Sequence, residues 1–152
     1  MKLPTAKNIH IDSYSSGLSR IVNSTNLIKL SQNETPLGPC SEVSKIIKKS
    51  LINVSRYPDG NSGLLREKLS KKFKLDKDQI IIGCGSDEII SLVCQAFLDK
   101  DDEVILSENS FLMYRIYAQI NGAKVIFSKE KDNTFDIEET IKSITNRTKI
   151  IF

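Results

Sequence analysis

The chain has 152 residues, of which 39% are hydrophobic and 27% charged, the composition of one globular domain rather than a mainly disordered chain. Its net charge of +3 is too small an excess to mark a nucleic-acid binder, and no run approaches the ~20 apolar residues that cross a membrane. The opening MKLPTAKNIHIDSYSS has no apolar stretch after its lysines, so no export signal is expected. Cys40, Cys84 and Cys94 lack zinc-ligand spacing and are expected as reduced thiols in a cytoplasm.

Residues 1–40 are polar and rich in Asn and Ser, with one apolar patch, Leu27-Ile28-Lys29-Leu30. They read as an N-terminal arm that packs on something else, ahead of a domain over 41–152. His10, the only histidine, lies in this arm and is expected to be solvated. Val43, Ile46, Ile47, Leu51 and Val54 recur at the helical period, and Ser41 is placed to cap that helix. Tyr57-Pro58-Asp59-Gly60 predicts a turn, with Pro presetting φ and Gly tolerating a positive one. Leu65, Leu69 and Phe73 predict a second helix.

From Gln79 onward the pattern becomes regular. Four apolar runs, Ile80-Ile81-Ile82, Val104-Ile105-Leu106, Val125-Ile126-Phe127 and Ile150-Ile151-Phe152, alternate with helical patterns. The helices carry Ile89, Ile90, Val93 and Phe97, then Tyr114, Tyr117, Ala118 and Ile120, then Ile137, Ile141 and Ile144. Continuous apolar strands between helices predict an α/β fold, a mainly parallel sheet flanked by helices on both faces. Lys149-Ile150-Ile151-Phe152 reads as a buried strand with no loop after it. A strand of such a sheet ordinarily leads to a functional loop. A truncated gene is therefore expected, with a naturally short final strand as the alternative.

The chemistry-bearing segment is Gly83-Cys84-Gly85-Ser86-Asp87-Glu88, between an apolar run and a helix. Helix N-terminal amides attract anions, and a phosphate could sit over Gly85, Ser86 and Asp87. Glu88 stands where the dinucleotide fingerprint needs Gly, and the Gly-Lys-Ser/Thr of a P-loop is absent. A tight turn with Ser86 as an N-cap is the plainer alternative. Phe111, at a strand exit, could stack on a flat ring or simply begin a helix in the core. Tyr57 could offer a hydroxyl at a rigid turn or be a surface tyrosine. Cys94 fits a core face, and Cys84 is expected to fill space under the loop.

In order, the chain reads Leu30-Ser31-Gln32-Asn33-Glu34-Thr35-Pro36-Leu37-Gly38-Pro39, Arg56-Tyr57-Pro58-Asp59-Gly60, Gly83-Cys84-Gly85-Ser86-Asp87-Glu88 and Ser110-Phe111-Leu112-Met113-Tyr114. From about Tyr14 to Phe152 this resembles the N-terminal part of the histidinol-phosphate aminotransferases. These are pyridoxal 5'-phosphate enzymes of fold type I. The neighbouring threonine-phosphate decarboxylases and aromatic aminotransferases share much of this pattern.

The resemblance implies a partial cofactor-binding large domain over 41–152. It implies that Gly85, Ser86 and Asp87 hold the cofactor phosphate and that Phe111 stacks on its ring. Tyr57 would reach the phosphate in the partner subunit of a homodimer. Asn33 and Tyr14 would lie near a small-molecule substrate, and Tyr14 and Gly17 would belong to an arm crossing the dimer. Ser16 and Asn109 stand where the family commonly has proline. No lysine here matches the family's Schiff-base lysine, so no catalytic residue is expected in this chain and no transaminase activity from the chain alone. No metal site is expected. A non-catalytic remnant is the reading of a different class.

Overall fold

The computed structural model describes residues 30–152 together with Ile11, Tyr14 and Ile28. The readings made at His10, Ser16, Gly17, Leu27 and Lys29 fall outside the described residues. The chain divides into two units, one comprising Met1–Tyr14 with Ile82–Phe152 and the other Ser15–Ile81.

In the earlier unit, Ile28 and Leu30 are exposed, and a bend at Pro36 and Leu37 leads into α1 (Ser41–Ser50). The expected cap is corrected. Cys40 occupies the N-cap without capping a helix amide, its thiol donating instead to Glu42 at 2.7 Å, and Ser41 is already helical, its hydroxyl donating to Glu42 at 2.9 Å. One step inside the helix, Ser41 is no longer in the flanking conformation from which a hydroxyl reaches the free amides. Glu42 in the first turn and Lys48 and Lys49 in the last complement the helix dipole. A 3-10 turn, Leu51–Asn53, extends the helix. Val43, Ile46, Ile47, Leu51 and Val54 all remain exposed.

The turn after Tyr57 lies two residues later than expected. The Ser62 N–H donates to the Asp59 carbonyl at 3.1 Å, and the Asp59 carboxylate accepts the amides of Asn61 at 3.0 Å and Gly63 at 2.8 Å. Asp59 thus gathers the amides that follow it, and the left-handed residue is Ser62 (φ 49°), not Gly60. Next comes α2 (Gly63–Phe73), the second expected helix. Its Arg66 donates to the Lys77 carbonyl and pairs with Asp78 at 3.2 Å, tying the helix to a 3-10 turn at Lys77–Gln79.

Ile80–Ile82, expected as the first strand, is not one. Ile80 has extended backbone (φ −119°, ψ 121°), but among the described residues no neighbouring strand pairs with this run, and a strand is defined by its ladder. The later unit then contains α3 (Ser86–Phe97), β1 (Glu103–Ser107), α4 (Leu112–Ile120), β2 (Lys124–Ser128), the short hairpin β3 (Glu130–Lys131) and β4 (Thr134–Phe135), α5 (Ile137–Lys142) and β5 (Thr148–Ile151). Asp132 and Asn133 turn the hairpin with left-handed backbone at both positions, the pattern of a type I′ turn. The Asp136 carboxylate caps α5 by accepting the Glu139 amide at 3.1 Å.

The other three apolar runs form a parallel sheet in the order β2-β1-β5. The central strand carries the continuous run Val104-Ile105-Leu106, and all three side chains are buried. Each contributes about 1.5–3 kcal/mol relative to exposure. Val104 and Leu106 meet Ile90, Cys94 and Leu98 of the α3 region and Ala118 of α4. Ile105 points to the opposite face, where Ser128 of β2 bonds Thr140 of α5 at 2.9 Å in the interior. The connection from β1 through α4 to β2 and the one from β2 through α5 back past β1 to β5 run in opposite directions across the sheet, and the right-handed rule for parallel crossovers puts α4 and α5 on opposite faces, so the sheet is flanked as expected.

Two expectations are corrected here. Ile137, Ile141 and Ile144 do not face the core: all three are exposed, and Thr140 is the buried residue of α5. A six-residue helix with hydroxyl contacts to the sheet needs no apolar stripe beneath it. β5 is not buried on both sides either, because it forms an edge of the described sheet and Lys149 and Ile151 are exposed. At the start of β1, Glu103 is only 3% exposed; it accepts the Thr145 hydroxyl at 2.5 Å and pairs with Arg147 at 2.6 Å. Thr145 and then Arg147 hold its carboxyl below the usual range.

Candidate functional site

The loop ahead of α3 is built by its glycines. A Cβ on Gly83 would lie 2.9 Å from the Ile89 side chain and 3.0 Å from the Glu88 carboxylate. Gly85 has φ 84° and ψ −178°, a region that essentially only glycine occupies, and open space surrounds the place where its Cβ would stand. Gly85 is the N-cap of α3, so Ser86 is the first helical residue and not the cap. The Gly85 amide donates to the Gly83 carbonyl at 2.9 Å. The Ser86 and Asp87 amides belong to the first turn, where helix N–H groups lack intrahelical acceptors, and both residues are exposed.

Two acids stand beside this cup. Glu88 folds back, and its carboxylate accepts the Cys84 amide. Cys84 itself is exposed, which corrects the expectation that it fills space under the loop: the neighbouring volume is taken by the Ile89 and Glu88 side chains. Cys94 is in the core as expected, and burial pushes its thiol pKa up.

α3 leads through Leu98–Asp102 into β1, and its Ile90 and Cys94 share the core cluster of Val104 and Leu106. After β1 the chain passes through Ser107–Ser110 to Phe111, the N-cap of α4. The Phe111 ring is 44% exposed and meets Tyr114 edge-on at 5.8 Å. Tyr114 in turn stacks on Phe152 at 4.5 Å. Phe111 is therefore neither free nor a core residue.

Glu130 was not legible as a site residue. Its carboxylate accepts the Ser107 hydroxyl at 2.5 Å, the Asn109 amide at 3.1 Å and Asn109 Nδ2 at 2.8 Å. These donors, Ser107 first, hold its pKa below the ordinary value. Asn109 contributes a backbone N–H that a proline would lack. Within Lys129-Glu130-Lys131 the acid looks like ordinary surface charge, and no sequence signal singles it out.

The remaining candidates are placed separately. Tyr14 is half-exposed. Asn33 and Tyr57 belong to the earlier unit, where Asn33 is exposed and Tyr57 is 96% exposed. Among the described residues no cluster of three or more His, Cys, Asp or Glu side chains could hold a metal, and no helix is long and apolar enough to cross a membrane.

The later unit is a parallel α/β sheet flanked by helices, the class of fold whose ligands sit beyond the carboxyl ends of the strands. Residues 25–152 match the aminotransferase class I and II family, and the chain belongs to it. The chain is 51% identical to a histidinol-phosphate aminotransferase of Pelagibacter ubique over all 152 residues, which span 42% of that relative's length. It resembles the crystal structure of histidinol-phosphate aminotransferase from Sinorhizobium meliloti in complex with pyridoxal-5'-phosphate (TM-score 0.71, 18% identity, 76% of this chain and 31% of that one). The histidinol-phosphate aminotransferase of Clostridium acetobutylicum is also similar (TM-score 0.64, 31% identity, 75% of this chain and 33% of that one). The fold is that of the type I pyridoxal-phosphate aminotransferases.

Proposed function

We propose that this chain forms the N-terminal part of a cytoplasmic, homodimeric aminotransferase that moves an amino group between histidinol phosphate and 2-oxoglutarate in histidine biosynthesis. The observation that carries the reading is the N-terminus of α3, where a glycine-only conformation at Gly85 precedes the exposed first-turn residues Ser86 and Asp87. The names of its relatives support the choice of substrate.

The residues fit pyridoxal 5'-phosphate. The amides of Ser86 and Asp87 and the Ser86 hydroxyl would bind the phosphate, with the helix dipole adding favourable potential. Gly85 lets the backbone approach it closely. Phe111 would cover one face of the ring. Tyr57 would give a hydroxyl to the phosphate held by the partner protomer, and Asn33 and Tyr14 would line the substrate's approach. When bound, the cofactor supplies the electron sink for a carbanion at the substrate's Cα. The chain's own residues bind and orient; no lysine here is assigned the covalent or proton-transfer role.

The test is complementation. The complete reading frame that carries this chain should restore growth without histidine to a bacterium lacking histidinol-phosphate aminotransferase. Failure to restore growth, with rescue of an auxotroph for another transamination, would reassign the substrate.

A further inference from the structure

We propose that Glu130 is a positioning residue: from the start of β3 it clamps the loop that follows β1 and so sets where the Phe111 ring stands. The inference rests on the reading above, in which Phe111 covers the cofactor ring. Both ends of the clamp lie at one sheet edge, because β1 and β2 are parallel and in register up to Ser107 and Ser128. One carboxylate oxygen takes the Ser107 hydroxyl and the Asn109 amide, and the other takes Asn109 Nδ2. Bonds to an ionised acceptor are the stronger kind.

The loop is short. The Ser110 amide closes back on the Ser107 carbonyl at 3.1 Å, and Phe111 follows at once in extended conformation (φ −60°, ψ 125°). Glu130 therefore fixes the backbone just before the ring, while Tyr114 meets the ring from the helix side. Neither contact involves the Gly85–Asp87 cup. The structure separates the group that places the aromatic face from the groups that would hold the phosphate.

Hydrogen exchange and ligand binding test this together. In the 152-residue chain, Glu130→Ala should speed exchange of the Asn109–Phe111 amides about tenfold, as loss of a charged acceptor implies. The Val104–Leu106 amides should keep their rate. Glu130→Gln retains an acceptor oxygen at the same reach and should stay within about threefold of the unsubstituted chain. The binding arm uses pyridoxine 5'-phosphate, which has no aldehyde to react with lysines, and inorganic phosphate. Glu130→Ala should weaken the first about tenfold and leave the second unchanged, because only the first needs the ring stack.

Unchanged loop exchange in Glu130→Ala overturns the clamp. So does faster exchange throughout β1, or equal loss of both ligands, since either would make Glu130 a general structural residue. If the unsubstituted chain binds neither ligand, the proposed function fails instead, and loop exchange alone decides the clamp.

Discussion

Gly85 is the residue where backbone conformation and ligand chemistry coincide. Gly85→Ala should destabilise the later unit by about 1–3 kcal/mol, because φ 84° with ψ −178° is closed to a side chain. Gly60→Ala, at ordinary φ with open space around it, should be neutral or stabilising by up to ~1 kcal/mol. Chemical denaturation of both variants checks the contrast. Glu103 gives a prediction in pH. Its carboxyl is depressed below its ordinary 4.5, chiefly by the Thr145 hydroxyl and then by Arg147. The stabilisation is present above that ordinary value and is lost as pH falls through the lower, folded one. Glu103→Gln should therefore lower the thermal midpoint at neutral pH and flatten its decline in acid. A decline as steep as the parent's would remove Glu103 from the acid response. In a homodimer of the complete protein, Tyr57→Phe should weaken cofactor retention by about 1.5–3 kcal/mol, the worth of one hydrogen bond to a charged group. Unchanged affinity would remove Tyr57 from the site.

At the scale of elements, burial follows the central strand rather than every apolar run. Leu106→Ala should cost about 2–5 kcal/mol, whereas Ile137→Ser, on the exposed side of α5, should stay within about 0.5 kcal/mol. Equal losses in the two variants would mean that α5 is covered. The same contrast explains what the sequence reveals. The period of Val43, Ile46 and Ile47 identifies α1, and the apolar runs after Asp102 identify three strands, because local pattern governs both. Ile80–Ile82 has the same pattern but no ladder among the described residues, since pairing depends on a neighbour that pattern does not reveal. The glycine loop and Phe111 stand out as site candidates because glycine spacing and an aromatic at a strand exit leave marks in the sequence. Glu130 leaves none. Its role arises only when parallel pairing brings the ends of β1 and β2 together.

For the whole molecule, the exposed apolar residues of α1 and α5 predict association that rises with concentration, seen by sedimentation and reduced in Ile46→Glu. Borohydride reduction of the chain with pyridoxal 5'-phosphate should label lysines diffusely and below stoichiometry, with no transaminase turnover. One stoichiometric lysine together with turnover would place a catalytic residue in this chain. Phosphate binding at the N-terminus of α3 is tested by NMR titration of the 15N-labelled chain with pyridoxine 5'-phosphate. Saturating shifts are expected at the Gly85, Ser86 and Asp87 amides, accompanied by shifts of the Phe111 ring. Saturating shifts centred elsewhere, or none at these amides, would contradict phosphate binding there.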